Sequence, residues 1–190
     1  MYTICIKKFC EAGGGKMENG QFEVYTGNGK GKTTAAIGLA VRALGAGYHV
    51  YFGQFIKDMR YSEIAMLENL SGITVEQFGT GRGCLVGRAP AQEDYDCAKR
   101  GLEHVRAAML SGKYDIVIAD EINVAGMLKL LTENEILSLP RQRPGEVELI
   151  FTGRGALPSV KACADLVTEM REVKHYYAEK GLIARLGIEK

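Results

Sequence analysis

The sequence predicts an α/β protein, a mostly parallel sheet flanked by helices, on three observations. Short apolar, strand-like segments alternate with helical ones along most of the chain. A glycine-rich stretch, Thr26-Gly27-Asn28-Gly29-Lys30-Gly31-Lys32-Thr33-Thr34, separates a strand from a helix. The continuous apolar run Ile116-Val117-Ile118-Ala119 ends in Asp120-Glu121, as a central parallel strand covered on both faces does. With no break in composition, the pattern reads as one doubly wound domain over residues 21–190, preceded by a flexible extension over residues 1–20 that contains Gly13-Gly14-Gly15.

The elements follow in order. Phe22-Glu23-Val24-Tyr25 alternates as a short strand, and Thr34 to Leu44 reads as a helix stopping near Gly45 or Gly47. Val50 to Ile56 is an apolar strand, and Ser62 to Leu70 suits a helix capped by Ser62 with Glu63 in its first turn. Ile73 to Phe78 is β-like, and Gly79 to Cys84 interrupts regular structure. A long helix then starts near Pro90, with Tyr95, Ala98, Leu102, Val105 and Met109 on its buried face. After the run into Asp120-Glu121, Val147 to Phe151 and Leu166 to Met170 complete the strands. Three strand ends should therefore converge, carrying the glycine loop, the acidic pair and the turn Thr152-Gly153-Arg154-Gly155.

The glycine loop predicts a phosphate site and places the fold among P-loop NTPase-like (RecA-like) proteins. Backbone N–H groups from Gly27, Asn28, Gly29, Lys30 and Gly31 can turn inward, and the unpaired N–H groups opening the next helix add partial positive charge. Lys32 supplies a mobile cation, Thr33 a hydroxyl for Mg²⁺, and Thr34 closes the motif. Thr26 stands where G-x-x-x-x-G-K-[ST] wants glycine, so counted from Gly27 the loop is one residue short, with Lys30 as an extra lysine. Asp120 and Glu121 sit where such proteins place a carboxylate beside Mg²⁺. Either could touch the ion, and a solvated acidic strand end is the alternative reading. Arg154, in a glycine-flanked turn, can grip phosphate oxygens with two parallel N–H donors. Lys32, Thr33, Glu121 and Arg154 are thus the candidate catalytic residues. Arg42 is a further nucleotide contact, weaker like Gln54 and Lys57.

Composition narrows the partners. A formal net charge of +1 gives no field for nucleic acid or anionic membrane, and no apolar run has transmembrane length. Cys5, Cys10, Cys84, Cys97 and Cys163 are scattered and lack metal-ligand spacing, as in a cytoplasmic protein with reduced thiols. His49, His104 and His175 form no ligand pair, and Tyr176-Tyr177 can pack against the sheet or line a pocket, packing being the favoured reading. No side-chain nucleophile with an adjacent base is visible, which suits a substrate that carries its own nucleophile.

Taken together, the residues resemble the P-loop-type ATP:corrinoid adenosyltransferases. The matching pieces are Tyr25 through Ala36, Gln54-Phe55-Ile56-Lys57, Asp120-Glu121, Thr152-Gly153-Arg154-Gly155, Val173-Lys174-His175 and Ala184-Arg185-Leu186-Gly187-Ile188. They span nearly everything from Phe22 onward. The resemblance implies transfer of the 5′-deoxyadenosyl group of ATP to the Co(I) of a reduced corrinoid, with triphosphate leaving. It also implies Mg²⁺, an electron-donor flavoprotein and a possible homodimer. Family members often carry aromatic residues after the Thr-Gly pair to help detach the lower axial ligand of cobalt. Here Arg82, Gly83, Cys84 and Leu85 follow Thr80-Gly81, and Cys84, Leu85 and Val86 are expected to do part of that work. The alternative function is an ATP- or corrinoid-sensing module without chemistry; an ordinary phosphoryl-transfer enzyme fits the short loop less well.

Overall fold

The computed structural model describes residues 17–81 and 89–189. The expectations for residues 1–16 and for Arg82 to Val86 lie outside the described residues. Six strands, β1 (Phe22–Thr26), β2 (Val50–Phe55), β3 (Ile73–Phe78), β4 (Ile116–Asp120), β5 (Glu148–Thr152) and β6 (Leu166–Glu169), form one sheet in the order β3-β2-β4-β5-β1-β6. Every strand pair is parallel, which brings all the carboxyl ends to one edge.

Helices cover both faces because each central strand is apolar in both directions. On one side Ala36, Ala40 and Ala43 of α1 (Lys32–Gly45) and Ile64 and Leu67 of α2 (Ser62–Leu67) pack on Phe52, Ile116, Ile118 and Ile150. Small alanines let α1 lie close to the sheet. On the other side Ala98, Leu102, Val105 and Met109 of α3 (Gln92–Leu110) meet Phe55, Val117, Ala119 and Phe151. Phe22 and Phe151 stack edge to face there at 4.8 Å. The anticipated α3 face is buried, with Tyr95 partly covered and Cys97, Gly101 and Ala108 added to it.

Several boundaries move for identifiable reasons. Strand β2 stops at Phe55 because Ile56 takes φ 68°. Ser62 is the first residue of α2, not its cap; the extended Tyr61 precedes it. That helix ends at Leu67, and the Leu70 N–H turns back to the Leu67 carbonyl. Val147 belongs to a turn, its N–H donating to the Pro144 carbonyl, so β5 runs one residue later than expected. Four short helices were not anticipated: α4 (Ile122–Met127), α5 (Glu133–Gln142), α6 (Pro158–Cys163) and α7 (Tyr176–Lys180). Within the expected lead-in, residues 17–20 are docked: the Gly20 N–H donates to the Gly145 carbonyl, Arg143 donates to the Gly20 carbonyl, and Met17 packs against the core on the α1 side of the sheet. Among the described residues no helix is long and apolar enough to cross a membrane, and Cys97 and Cys163 are free thiols.

Candidate functional site

The carboxyl edge of the sheet builds one site by a repeated backbone device. The residue directly after β1, β2, β4 and β5 has positive φ in each case: Gly27 at 93°, Ile56 at 68°, Glu121 at 63° and Gly153 at 124°. A left-handed residue turns the chain sharply away from the strand direction, so the segments that follow surround a common space instead of running on past the sheet. Ile56 and Glu121 are not glycines, and a β-branched residue there is strained; such strain concentrates at functional sites.

Around that space lies a cavity of about 610 Å³. Of the anticipated residues, Asn28 through Thr34, Glu121 and Arg154 line it. Gly31 opens α1 in a left-handed conformation with no side-chain cap, and no acidic residue occupies the first turn. The positive end of that helix is therefore left for a ligand. Lys32 is buried, and its ammonium donates to the carbonyls of Gly27 at 2.8 Å and Gly29 at 2.7 Å. Burial pulls its pKa below the usual lysine value, with Arg154 and Lys57 acting in the same direction against Glu121 and Asp120. An arriving anion would be attracted by all three cations.

Asp120 and Glu121 divide their roles by position. Asp120 is fully buried behind the loop, accepting from the Thr33 hydroxyl at 2.9 Å, the Thr152 hydroxyl at 2.6 Å and the Gln54 amide at 2.9 Å. Gln77 donates in turn to the Gln54 carbonyl oxygen, extending the network to the edge strand. Gln54 is thus a buried support for Asp120, away from the cavity. Glu121 faces the cavity, its backbone N–H held by the Thr152 hydroxyl at 2.9 Å. Burial and then the adjacent Asp120 raise its pKa, against the pull of Lys57, Lys32 and Arg154. The Lys57 ammonium stands 3.8 Å from both carboxylates. Burial works against that charge, yet Asp120, Glu121 and Glu63 outweigh it and its pKa rises.

The structure does not bring every candidate together. Arg42 is exposed in the last turn of α1, about 15 Å along the helix axis from Lys32. Tyr176 and Tyr177 do not pack on the sheet: the Tyr176 hydroxyl meets Glu189 and Lys30, and Tyr177 is exposed. Conversely, the sequence assigns no site role to His175, Gly187, Ile188 and Glu189, which form the far wall of the cavity. The signal available for the first three was the Val173-Lys174-His175 and Ala184 to Ile188 pieces of the resemblance, which gave no location; Glu189 lies outside both pieces. Lys57 was ranked low, although it follows a strand end as Glu121 does.

A family model described as ATP:corrinoid adenosyltransferase BtuR/CobO/CobP matches residues 18–189. A corrinoid adenosyltransferase of Escherichia coli (strain K12) is 33% identical, covering 90% of this chain and 86% of that protein. Corrinoid adenosyltransferase CobA of Salmonella typhimurium is 34% identical over the same shares, 90% and 86%. An uncharacterised protein of Nostoc sp. is 36% identical over 90% of this chain, which spans 48% of that longer protein.

Proposed function

The chain belongs to the ATP:corrinoid adenosyltransferase family, and from that premise we propose how its cavity performs the transfer. The enzyme is an ATP-dependent transferase whose substrates are ATP and a corrinoid. The phosphate chain of ATP lies along Asn28 to Thr34, gripped by backbone N–H groups, Lys32 and the open end of α1, with Arg154 closing on it from the β5 turn. The observation that carries this reading is the convergence of the loop, Glu121 and Arg154 on one cavity at the carboxyl edge of the sheet.

The reaction makes one bond and breaks one. The electron pair of Co(I) forms the cobalt–carbon bond to the ribose 5′-carbon, and the C5′–O bond breaks with its pair leaving on triphosphate. The protein supplies alignment and stabilisation of negative charge on the leaving group rather than a nucleophile of its own. Lys32 meets that charge directly. Its present contacts to the Gly27 and Gly29 carbonyls are of the kind an anion replaces, and its burial strengthens the exchange.

The donor set suits Mg²⁺. The Thr33 hydroxyl, Glu121 and the buried Asp120 offer oxygen only, the chemistry a hard divalent cation takes, and phosphates and waters complete its shell. Thr33 and Glu121 would hold the ion, with Asp120 orienting the Thr33 hydroxyl from behind. When bound, the ion neutralises charge on the phosphates. The raised pKa of Glu121 beside Asp120 supports this reading, since two adjacent carboxylates favour a counter-cation. The reduced corrinoid is supplied by an electron-donor flavoprotein, the working form is a homodimer, and the compartment is the cytoplasm, in line with the free thiols of Cys97 and Cys163.

Incubating the protein with ATP, Mg²⁺ and chemically reduced cobalamin should give the adenosylated corrinoid and one triphosphate per turnover. Release of phosphate or diphosphate would point instead to phosphoryl transfer. Tight binding of both substrates with no product would make the chain a sensor.

A further inference from the structure

Resting on that reading, we propose that Glu189 is a positioning residue that competes with the polyphosphate for Lys30 and so promotes release of the triphosphate product. Lys30 is the extra lysine of the shortened loop. Its ammonium is 2.7 Å from Glu189 Oε1 and 3.2 Å from the Tyr176 hydroxyl. The same carboxylate accepts from the Tyr176 hydroxyl, from the Arg185 backbone N–H at 2.9 Å and from its guanidinium at 3.2 Å. The Tyr176 ring lies beside both cations, 5.9 Å from the Lys30 ammonium and 5.0 Å from the Arg185 guanidinium. Glu189 is thus held in place by its own segment, and Lys30 comes to it from a loop on the other side of the cavity.

Three features fit exchange rather than a permanent lock. Glu189 lines the same cavity as Lys32 and Arg154, so a carboxylate forms part of the wall of a cationic anion site. A carboxylate oxygen on an ammonium makes the same charge-assisted bond that a phosphate oxygen makes, so the two anions are interchangeable partners. The Lys30 side chain is 42% exposed, and exposed ion pairs are weak enough for a multiply charged ligand to displace.

The segment is also tethered to the loop. Its near end is fixed to the loop, where the Gly29 N–H donates to the Met170 carbonyl at 2.7 Å. The approach is so close that a Cβ on Gly29 would come within 2.8 Å of the Arg171 backbone. Tethered at Met170, Glu189 stays at high effective concentration near Lys30 and returns as soon as the chemistry has turned ATP into triphosphate. Before transfer the adenosyl end adds contacts that hold the nucleotide; afterwards only the anion is left to compete.

The test measures inorganic triphosphate binding to the full chain by calorimetry, together with single- and multiple-turnover rates. Glu189→Gln should tighten triphosphate about three- to fivefold, the scale of an exposed ion pair. It should also lower the ratio of multiple- to single-turnover rate. Glu189→Asp, which keeps the charge, should restore most of the wild-type behaviour, and Glu189→Gln should have no further effect in a Lys30→Gln background. Unchanged or weaker triphosphate binding by Glu189→Gln, or an effect that persists without Lys30, overturns the proposal. If the wild-type chain binds no triphosphate at all, the phosphate-loop reading itself fails, and this proposal with it.

Discussion

At the scale of single residues, the site and its support carry opposite electrostatic signatures. The hydrogen bonds of Lys32 among the described residues go to its own loop, so Lys32→Ala removes a cation that the fold can spare and that the proposed leaving group cannot. Transfer should fall by about 100-fold or more, the order seen when a donor to developing charge is removed. His104→Ala should hardly change it, because His104 pairs with Glu76 and packs on Phe78 away from the cavity. A second residue-scale prediction concerns Glu148 at the opposite edge of the sheet. Burial pushes its pKa up to about 7, and a proton shared with Glu23 adds to the rise, while the Gln21 N–H bond opposes it. Below the ordinary value of 4.5 the carboxyl is protonated both folded and unfolded, and the effect vanishes. Between 4.5 and about 7 the folded state holds the proton more tightly, so stability falls as pH rises, and above about 7 the penalty is complete. Glu148→Gln should therefore raise Tm relative to wild type at pH 8 and leave it unchanged at pH 4, as read by thermal melts across that range.

At the scale of elements, the short helices depend on local chemistry and the long one on a missing side chain. Helix α5 is held by a reciprocal cap: the Thr132 hydroxyl accepts from the Glu135 N–H, and the Glu135 carboxylate accepts from the Thr132 N–H at 2.8 Å. Thr132→Ala should cost ~1 kcal/mol in a denaturant melt without touching the cavity. In α3, a Cβ on Gly101 would sit 2.8 Å from the Phe78 ring and 2.9 Å from the Phe55 ring, so the helix owes its close approach to that glycine. Gly101→Val should cost about 1–3 kcal/mol through overpacking, measured the same way. These elements also show what sequence could convey. Strand β3 was read at its observed limits and the α3 face from its spacing, because both depend on periodicity that local sequence carries. Helix α5 was not anticipated although Thr132-x-x-Glu135 announces its start; Pro140 inside it weakens the local helical signal. In the site, the loop, Asp120-Glu121 and Arg154 were legible because each follows a recognisable strand. The wall from Gly187 to Glu189 was not, because only the fold brings it back 159 residues to Lys30.

At the scale of the whole molecule, the parallel sheet gathers at one edge several features that the ligand-free protein tolerates at a cost. Four strand ends turn left-handed there, two of them at non-glycine residues whose strain is of order 1–3 kcal/mol each. Lys32 is desolvated, Glu121 is pressed against Asp120, and the first turn of α1 lacks an anion. None of these features helps the fold, and each would be relieved by the proposed polyphosphate with its divalent ion. Binding should therefore stabilise the chain as a unit, because the residues concerned directly follow β1, β2, β4 and β5, which pair in one sheet. At a hundredfold excess over Kd the linkage is worth ~2.7 kcal/mol. In a chain of this length that corresponds to a rise in Tm of about 5–10 °C. ATP with Mg²⁺ should give the full shift in a thermal melt, ATP with a chelator a smaller one, and adenosine almost none. Lys32→Ala should abolish the shift while keeping a cooperative transition of its own. If adenosine alone stabilises as well as ATP with Mg²⁺, the phosphate loop is not the main anchor, and the seat assigned here to the phosphate chain is wrong.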